Sequence, residues 1–382
     1  MEDKLEKIVI IGPIYPYRGG IAHYTAAFYR ELKKEYDVSL ISYKMQYPRF
    51  LFKKPQTDSA NIRERIEEAR FLLNTANPVN IIRTARYIRR LHPQLLILQW
   101  WHPYFAPCNR LLLWVLKKVK TIYICHNVFP HERFPMDRQL TKAALRKGNG
   151  FIVQSSMDAE DLHQILPGAK CITAVHPTYG EFDYIGMSRQ AAREALGIKE
   201  GRKVLLFFGF VREYKGLKHL LRAMPSVISQ IPETELWVVG EFGADREEYV
   251  QIIRTLDLDK NLQLIDSYVP DEEIQKYFAA SDLVVLPYES ATQSGVVQIA
   301  YGFGRPVIAT RTGGLADVVS DGRTGYLVPV KDEKALADAV VRFFAQERAE
   351  EFRKNIENEA VRFSWERMRE HVEELWRLVQ DE

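Results

Sequence analysis

Arg212 and Lys215 stand three residues apart in "FFGFVREYKGLKHLL", just after an apolar run that closes on Gly209. Two cations beside the start of a helical stretch suit a compact anion such as a departing diphosphate, because a helix terminus adds unsatisfied amides of its own. The stretch "LPYESATQSGVVQIAYGFGRPVIATRTGGL" repeats this order. A strand-like run ends, and Thr292, Gln293, Ser294 and Gly295 lead into a helical segment through Val296. Small residues there leave backbone N–H groups open to a phosphate that bulky side chains would hold off. Either loop alone reads equally well as a capped turn. Two of them in one half of a chain point to a diphosphate.

The other half carries a glycine pair, Gly19 and Gly20, in "YPYRGGIAHY", again between a strand and a helix. This is neither the GxGxxG fingerprint nor the GxxxxGK[ST] loop, which disfavours a dinucleotide dehydrogenase and a P-loop NTPase. His126 closes the apolar run of "TIYICHNVFPHE", where a strand-end imidazole is placed for ligand contact or for a structural bond. Cys108, Cys125 and Cys171 have no CxxC spacing and leave an odd count, which argues against a zinc or disulfide framework and for a reducing compartment.

The elements that must hold these residues alternate. "KIVIIGPI", "DVSLISY", "QLLILQWW", "TIYICHNV" and "GFIVQS" read as buried strands separated by helical stretches. The rhythm pauses near Gly180–Gly197, then resumes with "KVLLFFGFV", "ELWVVGE", "LQLIDSYV", "LVVLPY", "PVIAT" and "GYLVP". The expected fold class is α/β, with two Rossmann-like doubly wound domains facing across a cleft and ligands at the strand carboxyl ends. The expected division is 1–178, 179–348 and a helical tail at 349–382 that crosses back to the first domain.

At 382 residues, with 46% hydrophobic and 27% charged, the chain has an ordinary globular composition and two domains as its prior. Net charge is +3, but residues 1–178 hold 27 Lys and Arg against 15 Asp and Glu. The first domain therefore faces an anionic partner or surface. "YKMQYPRFLFKKP", with Lys44, Arg49, Lys53 and Lys54, and Arg63 beyond it, mixes cations with aromatics. Arg83, Arg86 and Arg90 share about one helix face. Such segments lie on anionic membranes, so a lipid-linked acceptor is one reading and a soluble anionic glycan the other. "WWHPYFAP" is read as packing more than as an acceptor site. No nucleic-acid module is recognisable. With no uninterrupted apolar run of about 18 residues and no leader-like N-terminus, the expectation is a cytoplasmic protein, peripheral at most on the inner face of the cell membrane.

Taken in order, the Gly-Gly loop, "CHNVFPHE", "GFVREYKG", "SATQSGVVQIAYGFGRPVIAT", "GGLADVVSDGRTGYLVP" and the tail with "FSW" resemble the family 4 glycosyltransferases over nearly the whole chain. The resemblance implies a GT-B fold and retaining transfer of a hexosyl group from a nucleotide-diphosphate sugar, with neither cofactor nor metal. It implies an acceptor contacted mainly by the first domain, in surface polysaccharide, lipopolysaccharide or glycolipid assembly. Carried over, Arg212 and Lys215 neutralise the diphosphate, and the amides of Ser294, Gly295 and Val296 bind its distal phosphate. Gly19 and Gly20 approach that phosphate or the sugar, and His126 hydrogen-bonds the sugar. Tyr268, Val269 and Pro270 lie against the base.

The family's usual pair of glutamates, eight residues apart, is replaced here by Ala291 and Ile299. Gln298 is the adjacent candidate for the ribose hydroxyls, and Glu289 the nearest acid. This leaves a non-catalytic nucleotide-sugar-binding protein and a GT-B nucleotide-sugar epimerase as alternatives.

Overall fold

The computed structural model describes residues 4–48, 51, 56–57, 65–130, 133–178, 186–243, 245–291 and 293–380. The chain divides into two compact units, Met1–Val175 with Ser364–Glu382, and His176–Phe363.

The first unit is a seven-stranded parallel sheet of β1 (Lys7–Ile11), β2 (Asp37–Met45), β3 (Arg70–Asn74), β4 (Leu95–Trp100), β5 (Lys120–Cys125), β6 (Gly150–Val153) and β7 (Cys171–Thr173). The strand order is β3-β2-β1-β4-β5-β6-β7. Its helices are α1 (Gly20–Leu32), α2 (Pro78–Arg90), α3 (Ala106–Val115), α4 (Asp137–Leu145), α5 (Ser156–Ile165) and α14 (Trp365–Gln380). Strand side chains alternate between two buried layers. Val9, Ile11, Leu96 and Leu98 join one core cluster with Ile81 and Leu112. Ile8, Ile10, Leu95 and Ile97 join the other with Phe28 and Leu375. A sheet buried on both faces requires the nearly continuous apolar runs seen in the sequence.

The second unit has six parallel strands: β8 (Lys203–Phe208), β9 (Thr234–Val239), β10 (Leu262–Ile265), β11 (Leu283–Leu286), β12 (Val307–Thr310) and β13 (Gly325–Val328). They are ordered β10-β9-β8-β11-β12-β13. The helices are α6 (Arg189–Ala195), α7 (Leu217–Gln230), α8 (Arg246–Thr255), α9 (Asp271–Ala280), α10 (Gly295–Gly302), α11 (Gly313–Val318), α12 (Glu333–Ala345) and α13 (Ala349–Glu359). Both sheets reverse their strand order once, between β1 and β4 and between β8 and β11. In open α/β sheets, that switch point is where the loops splay apart and leave a crevice.

The tail differs from the expected division. Helix α13 stays with the second unit, where Phe352 is fully buried with its ring 5.3 Å from Tyr326 and 6.1 Å from Phe343. Only α14 belongs to the first unit, through Met368, Val372, Leu375, Trp376 and Val379. Strands β3 and β7, absent from the sequence reading, are short edge strands with little buried surface.

Candidate functional site

In the second unit, the loops after β8 and β11 both rise from the switch point. The chain leaves β8 through Gly209 (φ 101°) and reaches a short 3-10 turn, Glu213–Lys215, with Arg212 extended just before it. Gly216 (φ 64°) then opens α7. A Cβ at Gly216 would stand 2.0 Å from the carbonyl oxygen of Pro287, so only glycine lets the two loops pack backbone to backbone. The amide of Glu289 donates to the Tyr214 carbonyl at 2.7 Å and ties them further.

Lys215 is partly buried over the Tyr288 ring, 5.6 Å from its centroid. Among the described residues it has no carboxylate partner. Burial first, and the Arg212 charge second, lower its ammonium from the ordinary value to about 8. A Cβ placed on Gly209 would lie 3.1 Å from Lys215 Nζ and 3.8 Å from Val296 Cγ2, so the ammonium and the first turn of α10 flank one glycine. Arg212 lies alongside Gly243, where a Cβ would stand 3.0 Å from a guanidinium nitrogen.

Ser294 caps α10 in an extended conformation and makes no side-chain capping bond. The first amides of α10, Gly295 and Val296, are left by helix geometry to other acceptors. Gln293 and Gln298 each carry a buried amide oxygen with no partner among the described residues. Gln298 itself is 1% exposed. Buried acceptors without donors are rare in proteins, and hydroxyl donors of a ligand would complete them. Thr292 lies outside the described residues. Ala291 and Ile299, which occupy the places of the glutamate pair, are buried apolar side chains. Glu289, the nearest acid, is already committed: His219 Nε2 lies 2.9 Å from one oxygen and Lys331 Nζ 2.7 Å from the other. His219 Nδ1 meets Glu333 at 2.7 Å.

Tyr268, Val269 and Pro270 form the loop after β10, two strands from β8. Val269 is buried, while Tyr268 and Pro270 are partly exposed. The structure thus gathers Arg212, Lys215 and residues 293–296 around one switch point and leaves Tyr268–Pro270 toward the sheet edge.

In the first unit, Gly19 (φ 102°) precedes α1, and a Cβ there would meet nothing within 4 Å. His126 lies in a buried polar cluster beyond the ends of β4, β5 and β6. It is 3% exposed. Its Nε2 is 2.7 Å from Gln99 Oε1, and its Nδ1 is 3.3 Å from Gln154 Nε2, so an amide side chain meets each ring nitrogen. The Tyr24 ring stands edge-on, 4.8 Å away. Gly12 makes room for the cluster, since a Cβ there would be 2.7 Å from Gln99 Cγ and 2.8 Å from Thr25 Oγ1. Sequence reasoning missed Gln99 and Gln154. Their signal was an uncharged polar residue at or just past the end of an apolar strand, in "LILQW" and "FIVQS".

"WWHPYFAP" divides between two roles. Trp100 and Phe105 are core, while His102, Pro103, Tyr104 and Pro107 line a cavity. Of the basic segments, Arg83, Arg86 and Arg90 are exposed on α2, opposite buried Ile81, Thr84, Ala85 and Ile88. Arg49, Lys53, Lys54 and Arg63 lie outside the described residues. Among the described residues, no group of three His, Cys, Asp or Glu side chains is placed to hold a metal ion, and no helix is long and apolar enough to cross a membrane.

Two doubly wound units of this kind define the GT-B class. Over 98% of its length the chain superposes on sucrose-phosphate synthase from Thermosynechococcus elongatus, with a TM-score of 0.74 at 19% identity and 98% of that chain covered. Over 97% it superposes on Anabaena HepE in complex with UDP and glucose, also at 0.74, with 16% identity and 99% of that chain covered. The description "Glycosyltransferase Family 4" matches residues 18–177, and "Glycosyl transferases group 1" matches residues 202–346. The chain belongs to the family 4 glycosyltransferases.

Among curated proteins, it is 34% identical over 156 residues to D-inositol 3-phosphate glycosyltransferase of Corynebacterium diphtheriae, covering 40% of this chain and 36% of the relative. It is 30% identical over 248 residues to D-inositol 3-phosphate glycosyltransferase 2 of Catenulispora acidiphila, covering 62% and 56%. The matches span about half the length of these curated relatives or less.

Proposed function

We propose that this protein is a retaining hexosyltransferase that moves a sugar from a nucleotide-diphosphate sugar to an acceptor held by the first unit, in surface polysaccharide, lipopolysaccharide or glycolipid assembly. One observation carries the reading. Lys215 is a partly buried cation with no counter-ion among the described residues, pressed by a second cation and set against a helix N-terminus. Sites built this way are poised for an anion.

The chemistry follows from charge. Breaking the sugar C1–O bond builds negative charge on the diphosphate. Arg212, Lys215 and the amides of Ser294, Gly295 and Val296 stabilise that charge more in the transition state than in the ground state. With retention, the leaving phosphate takes the acceptor proton on the face it vacates, so no separate base is required. Gln293 and Gln298 replace the missing glutamates as neutral acceptors for the ribose hydroxyls, and Tyr268–Pro270 packs on the base. The first unit contributes the Gly19-Gly20 backbone and His126 to the sugar, with His126 exchanging its longer bond, to Gln154. The reaction in this reading uses neither a metal nor a further cofactor.

Thermal-shift titration against UDP, GDP, ADP and their sugars tests the proposal. It leads with UDP-glucose, because HepE of similar fold was solved with that ligand. At 100 times its dissociation constant, the right nucleotide adds about 2.7 kcal/mol of stability. The shift should vanish in Arg212→Ala/Lys215→Ala, and losing either cation should cost about 3–4 kcal/mol of transition-state stabilisation. No shift with any nucleotide would sink the reading.

A further inference from the structure

A cavity in the first unit lies apart from the His126 cluster. It lies between the start of α2, α3 and α4, holds about 870 Å³, and presents mostly carbon. Ile81, Pro103, Cys108, Leu111, Phe134 and Leu140 supply much of its wall. The polar wall residues have partners already. Thr75 Oγ1 donates to the Gln46 carbonyl and meets the Tyr104 hydroxyl, the Tyr47 hydroxyl accepts from Trp101 Nε1, and His102 Nδ1 accepts from the Tyr104 amide. Such a cavity discriminates by shape and apolar area, within the size range of small-molecule sites.

Pro107, Leu111 and Leu140 also border an adjoining groove of about 490 Å³. The groove adds Arg110, Arg146, Lys147 and Trp114, whose side chain is 68% exposed. The three cations are exposed, and among the described residues none has a carboxylate partner. An apolar chamber sharing a wall with a groove of unpaired positive charge matches a molecule with a hydrocarbon end and an anionic end.

We propose that the first unit carries a lipid site in which the cavity takes the hydrocarbon tail of a phosphorylated amphiphile and Arg110, Arg146 and Lys147 hold its phosphate. The inference rests on the transferase reading only in calling this ligand the acceptor; binding itself does not depend on it. It gives the aromatic segment around Tyr104 and the positive charge of the first half a common purpose.

The test is titration of the full chain with dodecyl phosphate below its micellar concentration, followed by tryptophan fluorescence, beside octyl phosphate, dodecyl glucoside and inorganic phosphate. Each methylene lost from the tail weakens binding about fourfold, so octyl phosphate should bind on the order of 100-fold more weakly. Ala76→Trp, an exposed wall position that narrows the cavity, should weaken dodecyl phosphate at least about tenfold. Arg110→Glu/Arg146→Glu should do the same while leaving dodecyl glucoside unchanged. Equal binding of the two tail lengths overturns the proposal. So does competition by inorganic phosphate at equal concentration, which marks a free-phosphate site, or indifference to the charge reversals. The nucleotide shift measured on the same sample separates the two readings. Tail-dependent binding without that shift defeats the transferase and leaves the lipid site; the converse defeats the lipid site alone.

Discussion

Lys215 keeps its charge at a disadvantage, and a bound diphosphate would remove that disadvantage. Its ammonium is lowered to about 8 by burial and then by Arg212, whereas the ordinary value is 10.5. A phosphate beside it favours the charged form and raises the value again. Below about pH 8 the site is already protonated and nucleotide affinity is flat. Above it, binding must take up a proton, and affinity falls up to tenfold per pH unit until the bound-state value is passed. Lys215→Arg keeps its charge throughout and should flatten the profile. Dissociation constants for the nucleotide measured from about pH 7 to 9.5 check both. The cations were legible because a charge just after an apolar run has little structural reason to be there. Gln99 and Gln154 were not, since a neutral amide at a strand end also reads as ordinary solvation. Only the register that sets β4, β5 and β6 side by side shows that both reach His126.

At the level of elements, α14 is joined to the first sheet by one close fit. A Cβ at Gly150, on β6, would stand 2.8 Å from Leu375 Cγ, and Leu375 is fully buried. Leu375→Ala should cost about 2–5 kcal/mol in chemical denaturation by opening a cavity. Gly150→Ala should destabilise by overpacking. The double variant should be more stable than the sum of the two predicts, because the new methyl enters the vacated space. Buried strands such as β1, β5 and β8 were readable because both faces of each must be apolar. Strand β3 was not: it is an edge strand in which Arg70 and Phe71 are exposed and Leu73 alone of the five residues is buried, so no inward alternation marks it. The separate destinations of α13 and α14 were also unreadable. Each has one apolar stripe, and a stripe says that a helix is covered, not by which sheet.

For the whole molecule, the alternation of strands and helices specified two doubly wound units, because crossover handedness and burial leave few other arrangements. What alternation cannot convey is the order in which the units become complete. Strands β1–β7 of the first unit precede residue 176, but the helix that covers Ile122, Ile124 and Ile152 comes from Trp365–Gln380. Domains ordinarily mature from the N-terminus during synthesis. Helix α1 covers part of that face early, but the chain must make all of the second unit before α14 can complete the cover. A polypeptide spanning 1–175 should therefore aggregate when expressed alone, and a peptide spanning 364–380 supplied in trans should suppress its light scattering. A growing chain of this protein carries a half-covered sheet until α14 is made, which makes the first-synthesised unit slower than the second to be safe from chaperones and proteases.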